Sequence, residues 1–305
     1  MIEKTFNSFD GKQISYKEWG CENPKGLVQI VHGMAESTNR YNLLGEFLSK
    51  KGYIVFGDDH RGHGKTDDCS GYAKGDMFFD TLKDVSALGD IYKEKYPNLP
   101  LIILGHSYGS FLTQAYLERY GDKIDGAIVG GSAMMKGALI TAGGFIANLG
   151  CLFGLSKKPA KLLANMSFGS YNKKFKEGTF ISSILEECEI YKGCKDCGFV
   201  LSYNFYRHFF KGLKTLYKRK NYLNINIDKP ILLISGKEDP VGDMSESVKK
   251  LYAFYTDTVG VNSVDLILYD GVRHEYFNDT SRENAFEKVL EFVDDISVKG
   301  DKVEE

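Results

Sequence analysis

The 305-residue chain has no excess of basic charge, since 39 Lys and Arg face 41 Asp and Glu, giving a formal net charge of −2. Nucleic-acid-binding proteins usually carry a basic excess, so the composition argues against such a partner. The first residues, MIEKTF, contain no apolar segment of the kind that directs secretion, and we therefore expect a cytoplasmic protein. Internal repeats and low-complexity tracts are also absent, and 43% apolar residues suffice for a full core.

The six cysteines contain a single CxxC pair, Cys194 and Cys197, with Cys188 nearby. A structural zinc site needs four ligands, and no second pair follows. A redox CxxC is expected beside a βαβ unit near a helix start, which is a different context. We expect packed, reduced thiols, with metal or redox use as the alternative, and we predict no metal and no organic cofactor.

One stretch, residues 137–155, contains no charged residue and is long enough to span a bilayer. It also holds five glycines together with Thr141 and Asn148, so it is only weakly apolar. A transmembrane helix and two short buried helices are the alternatives to the interpretation that we favour, a flexible apolar cap that meets lipid.

Strand-like and helix-like segments alternate along most of the chain. Short apolar runs at 27–31, 53–56, 101–104 and 124–129 are separated by helical patterns, and the alternation resumes at 231–234 and 264–269. This pattern predicts an α/β fold, a mostly parallel sheet flanked by helices. Residues 133–225 show helical periods and no buried strand. The predicted organisation is a core in two parts, 1–132 and 226–305, with a helical cap inserted at 133–225. A last helix over 282–298 and a frayed polar tail at 299–305 complete the prediction.

The pentapeptide Gly105-His106-Ser107-Tyr108-Gly109 lies between an apolar run and a helical stretch. G-x-S-x-G between a strand and a helix is the nucleophile elbow of the α/β-hydrolases, and it predicts Ser107 as the nucleophile. The alternative is a glycine-rich turn with an incidental serine.

A serine nucleophile needs a general base and a carboxylate that orients that base. In this fold the chain order is Ser, acid, His, and of six histidines only His274 follows the last predicted strand. The acid should follow residues 231–234, where Asp239 is our choice and Glu238 the rival. Pro240 restricts Asp239 to extended backbone, which favours a held Asp239.

The oxyanion of such a reaction needs two backbone N–H donors. One comes from the residue after the nucleophile, Tyr108, and the other from the loop after the third strand, where Met34 is the expected donor. The glycine-rich segment DHRGHGKT, residues 59–66, follows the next strand. We expect its polar groups to brace the oxyanion loop, although its two histidines leave a metal site as the alternative.

Five segments together resemble the monoacylglycerol lipase and lysophospholipase group of α/β-hydrolases. They are HGMAE at 32–36, DDHRGHGKT at 58–66, GHSYG at 105–109, SGKEDPVG at 235–242 and YDGVRHEYFND at 269–279. The resemblance implies a serine esterase that cleaves a single-chain acyl ester, with Ser107, Asp239 and His274 as its triad and residues 133–225 covering the acyl site.

The cap is rich in apolar residues, and we expect Leu139, Phe145, Leu149 and Phe153 to contact the acyl chain. Each buried methylene contributes about 0.8 kcal/mol, so such a cap favours a fatty chain. The alternative is that these residues simply pack the cap onto the core. The Tyr and Lys content of the cap also suggests transient contact with a membrane surface.

Three other functions share parts of this pattern. They are a short-chain or aromatic carboxylesterase, an aminopeptidase-type hydrolase, and a non-catalytic lipid-binding protein. An aminopeptidase needs a carboxylate cluster for the free amine, and the sequence does not place one in the pocket.

Overall fold

The computed structural model describes the backbone of residues 1–301 and the side chains of residues 1–298. Eight strands form one sheet in the order β1-β2-β4-β3-β5-β6-β7-β8. Their bounds are β1 Ile2–Asn7, β2 Gln13–Trp19, β3 Gly26–Val31, β4 Tyr53–Asp58, β5 Leu101–His106, β6 Gly126–Gly130, β7 Ile231–Gly236 and β8 Val264–Tyr269. Strand β2 pairs antiparallel with β1 and β4, and the remaining neighbours are parallel. The predicted α/β fold with a mostly parallel sheet is confirmed.

Helices connect the strands. Those before β6 are α1 Asn42–Lys50, α2 Gly64–Asp67, α3 Phe79–Lys95 and α4 Tyr108–Tyr120. Those between β6 and β7 are α5 Ala138–Leu152, α6 Lys161–Ala164, α7 Ser170–Asn172, α8 Leu185–Gly193, α9 Tyr203–Leu213 and α10 Arg219–Tyr222. Those after β7 are α11 Glu246–Ala253 and α12 Arg282–Asp301. Short 3-10 helices span Thr38–Tyr41, Gly121–Lys123 and Tyr276–Asn278, and π-helical turns span Asn165–Gly169 and Phe254–Val259. Helix α12 continues to residue 301, three residues into the predicted frayed tail of 299–305, and residues 302–305 lie outside the described residues.

Both faces of the sheet are buried. In β3, Leu27 and Val31 pack on the side of α3 and α4, whereas Val28 and Ile30 pack on the side of α1 and α12. This follows from the two-residue period of a strand, which sends successive side chains to opposite faces. A parallel sheet needs cover on both faces, and each buried aliphatic side chain contributes about 1.5–3 kcal/mol.

The long apolar stretch forms one continuous helix, α5, instead of two short ones. One face of α5 packs across α9, where the rings of Phe210 and Tyr203 lie against Gly143 and Gly150. The opposite face is exposed. No helix within residues 1–301 combines the length and apolarity that a bilayer crossing requires.

The parallel strands determine where chemistry can occur. Their carboxyl ends all meet at one edge of the sheet, and in open α/β sheets ligands bind outside that edge. The loops after β3, β5, β7 and β8 carry Met34, Ser107, Asp239 and His274. The topology therefore brings together four residues that are widely separated along the chain.

Candidate active site

Ser107 lies at the apex of a sharp turn between β5 and α4. Its backbone has φ 52° and ψ −118°, a conformation that residues other than glycine rarely adopt. The Ser107 N–H is held by the carbonyl of Gly130 at 3.0 Å. Strained backbone of this kind persists only where its surroundings hold it, and it is concentrated at functional sites.

The two glycines of the pentapeptide are required by close approach of the backbone. A Cβ at Gly109 would stand 1.8 Å from the carbonyl oxygen of Val31, and one at Gly105 would stand 2.2 Å from Thr113 Oγ1. Helix α4 therefore begins in direct contact with the end of β3. That contact sets the elbow beside the loop that carries Met34.

His274 and Asp239 form a buried hydrogen-bonded pair. The imidazole Nδ1 lies 2.9 Å from Asp239 Oδ2, and the carboxylate is fully buried. Its other oxygen accepts the N–H of Val241 at 2.8 Å, which holds the carboxylate in place. Of the two acids considered from the sequence, Asp239 is the one that meets His274, and Glu238 is only partly buried. With Nδ1 bonded to the carboxylate, Nε2 is the nitrogen available to a serine proton.

The loop that carries His274 is attached to the cap. The backbone N–H of His274 donates to the carbonyl of Phe180 at 3.1 Å, and the backbone N–H of Glu275 donates to the carbonyl of Ile181 at 2.8 Å. The guanidinium of Arg273 donates to the carbonyl of Thr179 at 2.7 Å. Backbone of the segment 179–182 therefore positions the imidazole.

The loop after β3 leaves one N–H group unused. The Gly33 N–H donates to the Glu36 carboxylate, and the Ala35 N–H donates to His63 Nε2 at 3.2 Å. Among the described residues the intervening Met34 N–H has no hydrogen-bond acceptor. The Tyr108 N–H is in the first turn of α4, where N–H groups have no intrahelical partner. Both N–H groups predicted to bind the oxyanion are therefore available.

Glu36 is a buried carboxylate beneath this loop. Besides the Gly33 N–H, it accepts the Tyr41 hydroxyl at 2.8 Å and lies 3.9 Å from His106 Nδ1. Burial alone would raise the pKa of Glu36, but His106 and Tyr41 lower it below its usual value. Burial would likewise lower the pKa of His106, yet the neighbouring carboxylate of Glu36 raises it. The two groups stabilise each other's charged form.

The histidines of the glycine-rich segment 59–66 brace the same loop. Burial lowers the pKa of His63 to about 3, so its ring is neutral. The ring accepts the Ala35 N–H at Nε2, and Nδ1 is within hydrogen-bond distance, 3.0 Å, of the carbonyl of Arg61. His60 stacks on His32 with ring centroids 3.8 Å apart, and its N–H donates to His32 Nε2 at 3.0 Å. No three metal-ligating side chains converge anywhere in the described part of the chain. These contacts agree with a bracing role.

A small cavity of about 10 Å³ lies over Ser107 and His274. Its apolar wall comes from the cap, namely Phe168, Phe180, Ile181 and Tyr191. The four residues predicted to contact the acyl chain lie elsewhere, on or just beyond α5. They are exposed to between 36% and 83%, and they are Leu139, Phe145, Leu149 and Phe153. Met34, Ser107 and His274 share this cavity, and Asp239 is bonded to His274, but these four residues lie outside it, because the opposite face of α5 packs on α9.

The sequence model of the serine aminopeptidase S33 family matches residues 22–281. The chain belongs to this family of α/β-hydrolases. It is 24% identical over 294 residues to a monoacylglycerol lipase of Mycolicibacterium smegmatis, covering 95% of this chain and 96% of that protein. It is 24% identical over 280 residues to phospholipase YtpA of Bacillus subtilis, covering 90% of this chain and 98% of that protein. The structure of a thermostable carboxyl esterase from Bacillus coagulans in complex with glycerol matches with a TM-score of 0.87 at 25% identity, covering 97% and 98%. The predicted resemblance to monoacylglycerol lipases is confirmed, and the chain is a hydrolase.

The cap residues that do face Ser107 in this S33-family chain were not singled out from the sequence. Phe180 and Ile181 are an apolar pair in a stretch without helical period, between α7 and α8. That interruption was the available signal, because a non-helical apolar pair inside a helical insertion needs a separate burial site. The more apolar pattern of α5 is the stronger signal in the sequence, and it led to the prediction of Leu139, Phe145, Leu149 and Phe153.

The cysteines of this family member are free thiols. Cys188 is buried and donates to Ser182 O at 3.3 Å. Burial raises the pKa of Cys197, and its contact with Cys194 raises it further. The arrangement fits packed, reduced cysteines that shape the cap next to the active site.

Proposed function

We propose that the chain is a serine hydrolase of single-chain acyl esters, such as monoacylglycerols or lysophospholipids. Ser107 is the nucleophile, His274 the general base and Asp239 the residue that orients it. The observation that carries the proposal is the buried 2.9 Å contact between Asp239 and His274, beside a cavity shared with the strained Ser107. Similarity to a monoacylglycerol lipase and a phospholipase over nearly the whole chain supports the substrate class.

Acylation begins when Ser107 Oγ attacks the ester carbonyl and His274 Nε2 takes its proton. Asp239 stabilises the imidazolium that forms. The carbonyl oxygen becomes an oxyanion, which the N–H groups of Met34 and Tyr108 bind. Loss of one such donor typically costs about 2.7–4 kcal/mol of transition-state stabilisation. The tetrahedral intermediate collapses, and the alcohol leaves with the proton from His274.

Deacylation repeats the same steps with water as the nucleophile. His274 removes a proton from the water as it attacks the acyl-enzyme, and the same two N–H groups bind the second oxyanion. Collapse of this intermediate releases the fatty acid and returns the proton to Ser107. All proton transfers use the one imidazole, so the cycle closes without a further acid or base.

The cavity limits how substrate reaches Ser107. At about 10 Å³ it has room for one water at most, so an acyl chain enters only when the cap, residues 133–225, moves away from the core. Phe168, Phe180 and Ile181 then supply apolar contacts to the chain, at about 0.8 kcal/mol for each buried methylene.

The exposed apolar face of α5 has a separate role in this proposal. Leu139, Phe145, Leu149 and Phe153 are all exposed on or just beyond this one helix, and exposed apolar surfaces often mark interaction sites. We assign them to transient contact with a lipid surface, where the substrate is found. This role replaces the direct contact with the acyl chain that the sequence predicted for these four residues.

The name of the family also makes aminopeptidase activity a candidate function. Such an enzyme needs a free carboxylate near the nucleophile to bind the substrate amine. The carboxylates that line the cavity are Glu36 and Glu275. Glu36 is bonded to Gly33 and Tyr41, and Glu275 is paired with Arg40. Since neither is free to bind an amine, an ester substrate is favoured.

The nucleophile is tested by covalent labelling. A fluorophosphonate should label the native chain and Ser49→Ala, a control in α1, but not Ser107→Ala. Labelling of Ser107→Ala at the native rate would contradict the assignment, and failure to label the native chain would favour a lipid-binding protein without catalysis.

The substrate class is tested with esters of graded acyl length, monoacylglycerols and lysophospholipids included. We expect kcat/KM to rise with chain length, because each methylene adds buried area. A steady fall beyond short chains would favour a short-chain carboxylesterase, and faster cleavage of aminoacyl amides than of esters would favour an aminopeptidase.

A further inference from the structure

A cleft of about 390 Å³ lies between α5 and α9, on the cap and apart from Ser107. Four basic side chains line it, together with three other polar ones and Gly144. The basic ones are Arg207, Lys211, Lys214 and Lys218, and the other polar ones are Asn148, His208 and Thr215. None of them takes part in the proposed reaction.

The basic residues share one face of α9 and of the turn that follows it. Arg207 and Lys211 are one helical turn apart on α9, and Lys214 and Lys218 follow the end of that helix along the same cleft, so that the four form a basic row. The opposite face of α9 is buried through Phe205, Phe209 and Leu213, so the helix does not need the basic row in order to fold. Like charges at this spacing destabilise a helix by a few tenths of a kcal/mol for each pair, about 0.2–0.5.

Most of this charge is not neutralised locally. Lys211 pairs with Asp76 at 2.6 Å, whereas Arg207, Lys214 and Lys218 take part in no ion pair among the described residues. The wider segment shows the same bias. Residues 133–225 hold 15 Lys and Arg against 5 Asp and Glu, a formal charge of +10 in a chain whose total is −2. Basic charge is therefore concentrated on the cap, and the remainder of the chain is acidic.

The cleft adjoins the exposed apolar face of α5. Asn148 lines the cleft, and successive helical residues turn by about 100°. Phe145, Leu149 and Leu152 therefore follow Asn148 around the helix, away from the face packed on α9. All three are exposed. A cationic cleft beside an apolar surface matches an anionic lipid, in which a phosphate lies next to acyl chains.

We propose that the cleft between α5 and α9 binds the phosphate of an anionic phospholipid headgroup, and that it docks the cap on an anionic lipid surface while the apolar face of α5 meets the acyl region. Arginine and lysine are the usual ligands of phosphate, and Asn148 and Thr215 add neutral hydrogen-bonding groups. The inference rests on the proposed lipid ester function, for which it supplies the surface that the enzyme recognises.

The test is sedimentation of the full chain with vesicles of phosphatidylcholine alone, or of phosphatidylcholine with phosphatidylglycerol. We expect binding only with phosphatidylglycerol, and an approximately fivefold weaker partition for Lys214→Gln or Arg207→Gln. Lys220→Gln is the matched control, since Lys220 is exposed on α10 of the same cap but lies outside the cleft. It should stay within about twofold of the native chain, because it removes the same charge at a different place.

Three results would overturn the proposal. Equal losses for Lys214→Gln and Lys220→Gln would mean diffuse attraction without a site. Binding of free glycerol phosphate as tightly as of vesicle phosphate, with no gain from the lipid surface, would mean a site for soluble phosphate esters. Equal displacement by a single-stranded oligonucleotide would mean a general polyanion surface.

The rate of hydrolysis of a soluble p-nitrophenyl ester tests the proposed reaction separately from the proposed lipid-binding cleft. The cleft variants should keep native turnover of that ester, since the cleft lies apart from Ser107. A native chain that binds the vesicles but hydrolyses no ester would contradict the proposed reaction alone, because vesicle binding is measured without substrate.

Discussion

The backbone N–H of Gly198 donates a 2.8 Å hydrogen bond to the carbonyl oxygen of Ala35. The Tyr191 hydroxyl donates to the same oxygen at 3.2 Å. Two groups of the cap thus hold the carbonyl of Ala35, while His63 of the core accepts its N–H. Because Ala35 follows Met34, the closed cap helps to set the direction of an N–H group that we assign to the oxyanion.

Removal of the Tyr191 hydroxyl tests this connection. We expect Tyr191→Phe to lower kcat for a soluble ester by roughly threefold to tenfold, the equivalent of one net hydrogen bond. KM should change little, since the ring that lines the cavity is kept. Tyr203→Phe, a cap tyrosine that packs on α5, is the control. Unchanged kcat in Tyr191→Phe would mean that the cap does not act on the oxyanion loop.

Glu36 should position the oxyanion loop from the core side. We expect Glu36→Ala to lower kcat by about 10- to 100-fold with little change in KM, because the Gly33 N–H loses its acceptor and the Met34 N–H moves. Glu36→Gln keeps an acceptor oxygen and should recover most of the activity. The exposed Glu22→Gln is the control. Equal losses for Glu36→Ala and Glu36→Gln would show that charge, and not loop position, is what matters.

The nucleophile elbow should tolerate no side chain at Gly109. A Cβ there would stand 1.8 Å from Val31 O, so we expect Gly109→Ala to lower the free energy of unfolding by about 3 kcal/mol. Gly193→Ala at the end of α8 is the control, because a Cβ at that position meets no atom within 4 Å. Denaturant unfolding of both variants measures the difference, and similar stabilities would contradict the close approach.

Glu118 should make stability depend on pH. It is buried in α4, one of its oxygens has no partner among the described residues, and burial raises its pKa from 4.5 to about 7. A raised carboxyl pKa means that the folded state prefers the proton. This contribution to stability is complete below pH 4.5 and is lost as the pH rises through about 7.

The measurement compares unfolding of the native chain with Glu118→Gln, which cannot ionise. Relative to that variant, the native chain should lose about 2 kcal/mol between pH 5 and pH 8. The exposed Glu94→Gln should follow the native chain across this range. A constant difference between the native chain and Glu118→Gln would show that Glu118 does not titrate there.

The central site could be predicted from the sequence because its signals are local. The pattern around Ser107 needs only a strand, a turn and a helix, and the glycines at 105 and 109 follow from sterics within that turn. The order of Ser107, Asp239 and His274 follows from strand succession, since parallel strands present their carboxyl ends at one edge. Pro240 already favoured Asp239 over Glu238 through backbone restriction.

The cap could not be predicted in the same way. Apolar content marks α5 as a helix that needs cover, but it does not say which face finds that cover. Docking of α5 on α9 leaves Leu139 and Phe145 in solvent, and places Phe180 and Ile181 over Ser107 instead. The roles of Glu36 and His63 are likewise contacts between distant loops.

The sequence by itself thus determined the sheet, the elbow and the order of the three candidate residues Ser107, Asp239 and His274, because strand period, glycine sterics and the succession of strands are properties of the chain. Only the tertiary structure decided which cap residues close the cavity, and where the basic row of α9 meets the apolar face of α5. Those outcomes depend on how helices rotate and pack against one another, and many rotations are compatible with the same helical pattern.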